Sequence, residues 1–405
     1  MLSPYRDVLA RPGALRFSAA GVLARMPMSM VGIGTVLMVQ AVYGSYGLAG
    51  QVSGAYIVAQ AVCSPVLANL VDRYGQARVM RPAVAVSAVG LTALLVAGML
   101  KAPSAWVFVA AVVTGAGMGP FGALVRARWT LLLRDEPARL HAAYSWESAL
   151  DEVVFIIGPV ITTVLATSVH PTAGLVVPGV AMVVGGLWFL AQRRTAPPPA
   201  PRSTPRPRGT VLTAPGMGAL LAVFVAIGSI FGATDVATVA LATEQGHKAL
   251  AGVILGAFGV GSLLAGLVYG TRALTVPLSR RFLVGTVALA LCISSFALVT
   301  NLWELAIAML VTGLTIAPTI INGNALVSVL VPGHRLTEGL TFLGTSIGVG
   351  VSVGSAVAGA MIDAHGSRGG FFVAAAAGIV VLVSALAAAP TLRRQSFVET
   401  ADPEA

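Results

Sequence analysis

The chain has 405 residues, 57% of them hydrophobic and 10% charged, and a formal net charge of +10. Soluble domains carry about 25% charged and 45–50% apolar residues, so this chain could not clothe a water-soluble surface. Spread over the whole length, the composition indicates a polytopic membrane protein.

A helix needs about 20 predominantly apolar residues to cross roughly 30 Å of hydrocarbon. Cutting the sequence at charges, Pro/Gly clusters and polar turns predicts twelve spans. They are α1 (17–43), α2 (47–71), α3 (82–100), α4 (104–125), α5 (143–168), α6 (173–191), α7 (215–242), α8 (249–270), α9 (282–300), α10 (304–330), α11 (339–361) and α12 (370–390). The first is too long for a signal-peptide core and is expected to be retained. It carries Arg25 just before Pro27, with Met26, Met28, Met30, Thr35, Met38 and Gln40 around it. The stretch SWESALDEVVFIIGP (145–159) opens α5 and sets Glu147, Asp151 and Glu152 at the mouth of an apolar run reaching Val169. TAPPPAPRSTPRPR (195–208) is Pro-rich and basic, the pattern of an extended linker. The predicted organisation is therefore a six-helix bundle over 1–191, a linker over 192–214, a second bundle over 215–390 and a tail over 391–405. In the second bundle, α7 contains Asp235 between Thr234 and Thr238, and α10 contains Thr315, Thr319, Asn322 and Asn324. Glu304 and Glu338 fall at span ends.

The basic residues test the count. With the N-terminus inside, 21 of the 25 fall in cytoplasmic segments, against Lys101, Lys248 and Arg368 outside, with Arg25 inside α1. That is the asymmetry of the positive-inside rule, and one extra or missing span would reverse it for half the chain. Both termini are expected in the cytoplasm, and the +10 charge needs no nucleic acid to explain it. Cys63 and Cys292 sit in apolar runs, and the five histidines have no ligand-like spacing. No metal site, Ser-His-Asp set, P-loop or nucleotide fingerprint is present. Neither an enzyme nor an ATP-driven pump is expected, and no cofactor.

The halves repeat. AGQVSGAYIV (49–58) matches AGVILGAFGV (251–260), VTGAGMGP (113–120) matches VTGLTIAP (311–318), and Arg139-Leu140 matches Arg335-Leu336. Three matches in one order at offsets of 202, 198 and 196 describe a duplicated six-helix unit with parallel halves. Such repeats suit a transporter that rocks one half against the other about a midplane site. Gly50, Gly54, Gly252 and Gly256, with the glycines of α11, would supply close helix contacts.

ANLVDRYGQAR (68–78) resembles the signature Gly-x-Leu-Ala-Asp-Arg-x-Gly-Arg-Arg of the major facilitator superfamily. Asp72, Arg73 and Gly75 match it, Arg78 supplies a later basic position, and Ala68 replaces the opening Gly. The resemblance implies the all-helical, twelve-span fold of that family, α1 beside α5, and α1, α4, α7 and α10 around a central cavity. It also implies that Asp72, Arg73, Gly75 and Arg78 form a latch on the outward-facing state; a loop that merely sets topology is the alternative. Gly158-Pro159 resembles the centre of the motif of drug:proton antiporters, although Val154 and Thr162-Thr163 replace its outer glycines. The buried Arg and Gln-Gly of those exporters' α4 motif are not found.

An ionisable residue inside a span is a functional candidate whose partner should be named. Arg25 and Asp151 both lie about nine residues, roughly 12 Å, into helices that start from the same side, and Glu147 and Asp151 share a face. An Arg25–Asp151 pair, with Glu147 or Glu152 in reserve, is one reading: parting such a pair would move a proton. A cap on the α5 N-terminus is the other. Asp235 is a second coupling candidate. Met30, Gln40, Thr234, Thr238, Thr319 and Asn322 are candidates for the cavity wall, the methionines suiting apolar ligands or simply filling space. The expected function is proton-gradient-driven export of a small lipophilic drug or metabolite by a monomer in a bacterial cytoplasmic membrane. Solute uptake, or a non-transporting sensor, is the alternative.

Overall fold

The computed structural model describes residues 3–199, 211–247, 250–272 and 276–401, with side-chain surroundings given for all but 46, 47 and 392–401. Residues 200–210 of the linker, Lys248 and the last four residues of the tail lie outside the described residues. Among the described residues every regular element is helical.

A short helix, Ser3–Leu9, leads the chain. Twelve helices long and apolar enough to cross a membrane follow: α1 Ala14–Tyr43, α2 Leu48–Tyr74, α3 Gln76–Met99, α4 Ser104–Leu132, α5 Pro137–Ser168, α6 Ala173–Ala191, α7 Met217–Glu244, α8 Leu250–Tyr269, α9 Leu278–Leu298, α10 Leu302–Leu330, α11 Gly333–His365 and α12 Ser367–Thr391. The chain is a multi-pass membrane protein. Several helices outrun their predicted ends by a turn or two, because arginines and small polar residues continue a helix into water readily.

Two spans are broken. In α1 the pieces Ala14–Arg25 and Pro27–Tyr43 meet at Met26. Pro27 has no N–H to offer the carbonyl of Leu23, which accepts from Met26 N instead. In α4 the pieces Ser104–Gly117 and Phe121–Leu132 are separated by Met118-Gly119-Pro120, with Met118 extended.

The chain divides into two compact units. One comprises Arg6–Asp135 and Val153–Pro205, the other Met1–Tyr5, Glu136–Glu152 and Arg206–Ala405. In the first, α1 packs on α6, α2 on α4, and α3 on both α4 and α6. In the second, α7 packs on α12, α8 on α10, and α9 on both α10 and α12. The same pairing order in both is the duplication in three dimensions.

One packing device is also copied. A Cβ on Gly158 of α5 would lie 3.2 Å from Cβ of Ser29 and 3.0 Å from Cγ of Met30 in α1. Its repeat mate Gly354 in α11 would press a Cβ to within 2.6 Å of Cα of Ser229 in α7. The absent side chains let the first and fifth helices of each half meet closely. Gly50, Gly54, Gly252 and Gly256 do not behave this way: a Cβ there would meet nothing within 4 Å. Close approaches are made by other glycines, among them Gly158 on α5, Gly354 on α11 and Gly261 on α8, where a Cβ would lie 3.1 Å from Cα of Gly313.

Candidate functional site

The opening of α5 lies along the last turns of α8 in antiparallel register. Ser262 Oγ donates to Glu152 Oε1 at 2.6 Å, and His141 Nε2 lies 3.1 Å from the Tyr269 carbonyl, its ring edge-on to the Tyr269 ring. Gly270 faces Ser145 closely enough that a Cβ would sit 2.7 Å from Ser145 Oγ. The leading helix joins the seam. Tyr5 Oη donates to the carbonyls of Leu267 (2.5 Å) and Gly266 (3.3 Å), and its ring lies against Trp146. Tyr5 precedes the spans, and burial pushes its hydroxyl up to about 12. Glycines and serines make this fit possible: at 1.5 Å rise, small residues one turn apart on α8 leave a trough for α5.

The acids divide by environment. Glu147 is fully buried, Asp151 and Glu152 are half-buried, and Ser262 beneath Glu152 is buried. Arg25 is 2% exposed and donates from Nε to the Gly21 carbonyl at 3.1 Å. It belongs to the first unit and the three acids to the second. Asp235 has accessible surface, while Thr234 and Thr238 are turned into the helix packing with no exposure at all. Sequence reasoning placed those threonines beside Asp235; a helix turns about 100° per residue, which carries Thr234 off the Asp235 face, whereas Thr238, three residues on, stays within about 60° of it.

Other cavity candidates also move. Met30 is fully buried against Gly158. Thr319 is fully buried in the α9–α10 contact, its hydroxyl 2.6 Å from where a Cβ of Gly285 would be and donating to Thr315 O. The Asn322 side chain is 2.8 Å from Tyr269 Oη through Nδ2 and 3.1 Å through Oδ1, so it ties α10 to α8. Gln40 remains half-buried.

The stretch from Asp72 to Arg78 turns at Gly75. Gly75 has φ 89° and joins α2 to α3 while its N–H reaches Val71 O at 2.7 Å; only a residue without a Cβ takes that conformation freely. Asp72 is half-buried, Arg73 is exposed with its guanidinium 4.8 Å from the Tyr74 ring centre, and Arg78 is exposed. Glu338 lies in the first turns of α11, the repeat mate of the α5 opening. It is 3% exposed and takes a bidentate contact from Arg335 at 3.0 and 3.1 Å.

Two arginines assigned to a cytoplasmic loop are buried in the second piece of α4. Arg128, 1% exposed, donates to Gln76 Oε1, to the carbonyls of Phe189 and Gln192 and to Thr195 Oγ1, and stacks 3.7 Å over Phe189. It caps the C-terminal carbonyls of α6, where the macrodipole favours a cation. Arg126 is 6% exposed, and both it and Arg25 approach Gly122: a Cβ there would be 3.4 Å from Arg126 Nη1 and 3.7 Å from Arg25 Cδ. α4 thus carries buried arginines beyond its predicted end at 125, while the exporters' Arg and Gln-Gly motif stays unmatched in sequence. The signal was the apolar Trp129-Thr130-Leu131-Leu132-Leu133 after the arginines, which prolongs the span. Among the described residues no three His, Cys, Asp or Glu side chains gather as a metal site would require.

A family model described as the Major Facilitator Superfamily matches residues 17–271 and again 219–403. No curated protein sequence matches the chain. Among solved structures, a bacterial homologue of the iron transporter ferroportin in its outward-facing state aligns with TM-score 0.74 at 14% identity, covering 95% of this chain and 100% of its own. FucP in the outward conformation, a fucose:proton symporter of E. coli, aligns at 0.71 and 16%, covering 94% and 99%. The human organic anion transporter MFSD10 aligns at 0.69 and 13%, covering 93% and 100%. At these identities the likeness is one of fold.

Proposed function

The chain belongs to the Major Facilitator Superfamily, a family of transporters rather than enzymes, and on that premise we propose that it exports a small lipophilic compound in exchange for protons. The two halves, 1–191 and 215–390, would alternate about a central site, in a bacterial cytoplasmic membrane and as a monomer, with the proton gradient as energy source. The observation that supports coupling is the Ser262–Glu152 hydrogen bond of 2.6 Å. It joins an acid carried by the fifth helix to a donor carried by the eighth. When the halves rock, the acid gains and loses that donor, and an acid whose surroundings alternate takes up and gives up a proton. Glu152 thus replaces Asp151 as the leading candidate. Arg25 with Asp151 or Glu147, and Asp235 on α7, stay as proposed parts of the same charge network, and Asp72, Arg73, Gly75 and Arg78 as its conformational latch.

The test is transport by the full chain in liposomes with an imposed pH gradient and a panel of lipophilic cations, neutral metabolites and benzoate. Glu152→Gln should abolish the gradient dependence, whereas Asp151→Asn and Asp235→Asn should reduce it less. A second reading has one observation in its favour. Arg25 and Arg126, both buried at Gly122, suit an anionic cargo carried in either direction. Benzoate flux above that of benzamide would select it.

A further inference from the structure

Two apolar grooves of similar size open on the sides of the helices, one in each unit. The first, about 550 Å³, runs between α2 and α3 with α4 as its floor, and Leu67, Leu70, Tyr74, Pro82 and Val86 line it. The second, about 600 Å³, runs between α9 and α10 and is lined by Leu291, Leu298, Ile307 and Val311. Their charged ends are opposite. The first ends at Arg78, with exposed Arg73 and Arg81 beside it and Asp72 as the single acid on α2, α3 and α4. The second ends at Glu304, whose carboxylate accepts from Thr300 N and Oγ1 at 2.8 and 2.9 Å.

We propose that the α2–α3 groove is a binding site for an anionic phospholipid, its acyl chain along Leu67, Leu70 and Val86 and its phosphodiester on Arg78. Tyr74 and Val86 are large side chains left 41% and 45% exposed along this groove, and an acyl chain would pack on the Tyr74 ring and the Val86 methyls. The arginine distribution places this end of the bundle at the cytoplasmic leaflet, where anionic lipids concentrate and each nearby arginine strengthens their binding about fivefold. A headgroup on Arg78 also touches the turn at Gly75, so occupancy would bias the latch between α2 and α3. The α9–α10 groove, with a carboxylate at its mouth, repels the same headgroup and serves as the internal control.

The measurement is native mass spectrometry of the delipidated full chain titrated with equal amounts of POPG and POPC. The wild type should retain POPG in preference to POPC by at least about fivefold. Arg78→Gln should remove most of that preference and Arg78→Lys restore it. Leu67→Trp, which fills the groove and leaves every charge in place, should lower POPG retention as well, and Glu304→Gln should leave the preference unchanged. Unaltered melting temperatures show that the variants fold. Equal retention of the two lipids by the wild type overturns the proposal, as does a preference that survives either Arg78→Gln or Leu67→Trp.

Discussion

α5 and α11 are the fifth helices of the two halves, related by the offset of 196 that carries Arg139-Leu140 onto Arg335-Leu336. Gly158 and Gly354 correspond, and each seats its helix on a serine of the first helix, Ser29 or Ser229. The charges do not correspond. Glu147, Asp151 and Glu152 fall opposite Leu343, Ile347 and Gly348. At the neighbouring offset of 200, Arg25 falls opposite Val225 and Asp235 opposite Thr35. Duplication has therefore kept what packs the helices and left each charge inside a span to one half. A feature present in both halves holds the fold, and one present in a single half is a candidate for function.

Arg128 is the strongest challenge to that division. Its mate at offset 198 is Leu326, yet every contact it makes is structural. Arg128→Met should strip the donors from Gln76 and two α6 carbonyls and lower stability by about 3 kcal/mol. Denaturation in detergent should show it, with the pH-gradient dependence of residual transport unchanged. Lost gradient dependence would make Arg128 functional and restore the division without exception.

The copied glycines sharpen the comparison. Gly354→Ala drives a methyl into the Ser229 backbone and should cost about 1–3 kcal/mol. Gly158→Ala meets a serine side chain that can rotate, at the loss of the Ser29–Val154 hydrogen bond, about 1 kcal/mol. Thermal melting should rank the two in that order; the reverse order would place the tighter helix contact in the first half.

Tyr269 is a feature of one half, with Leu67 as its mate at offset 202. Tyr269→Phe should lower stability by only about 1 kcal/mol and change the rate of transport more than the fold. A large fall in melting temperature would move this residue to the scaffold. The smallest effect concerns Tyr5. Its folded pKa is about 12 against 10.0 for the free group, so the unfolded chain releases the proton first. The stability it contributes is intact below pH 10 and is lost as pH rises towards 12. Difference absorbance of the phenolate between wild type and Tyr5→Phe should show one tyrosine titrating late.

Much of the fold was legible in sequence because membrane helices must satisfy their own backbones, so apolar length alone marks them. The basic residues then tested their number, and the repeat divided them into two parallel sets of six. The turn at Gly75 was legible because one residue type dominates that conformation. The seam between α5 and α8 was not, since Ser145, Gly266 and Gly270 carry no pattern apart from generic small-residue packing. Arg126 and Arg128 were misplaced because cutting at charges ends a span at its first arginine. Thr319 and Asn322 were misread because a polar residue on α10 serves equally to line a cavity or to bind a neighbouring helix, and only the position of Gly285 and Tyr269 decides.

Glu152 is where the two kinds of feature meet: a charge of one half, hydrogen-bonded to a serine of the other. Full-length protein in liposomes with an acidic lumen, so that the proton gradient is directed outward, and with a transported compound supplied outside, tests its role directly. In Glu152→Gln, accumulation should fall to the level reached without a gradient while exchange at equal pH persists. Gradient-driven accumulation equal to wild type in that variant would contradict proton coupling at Glu152.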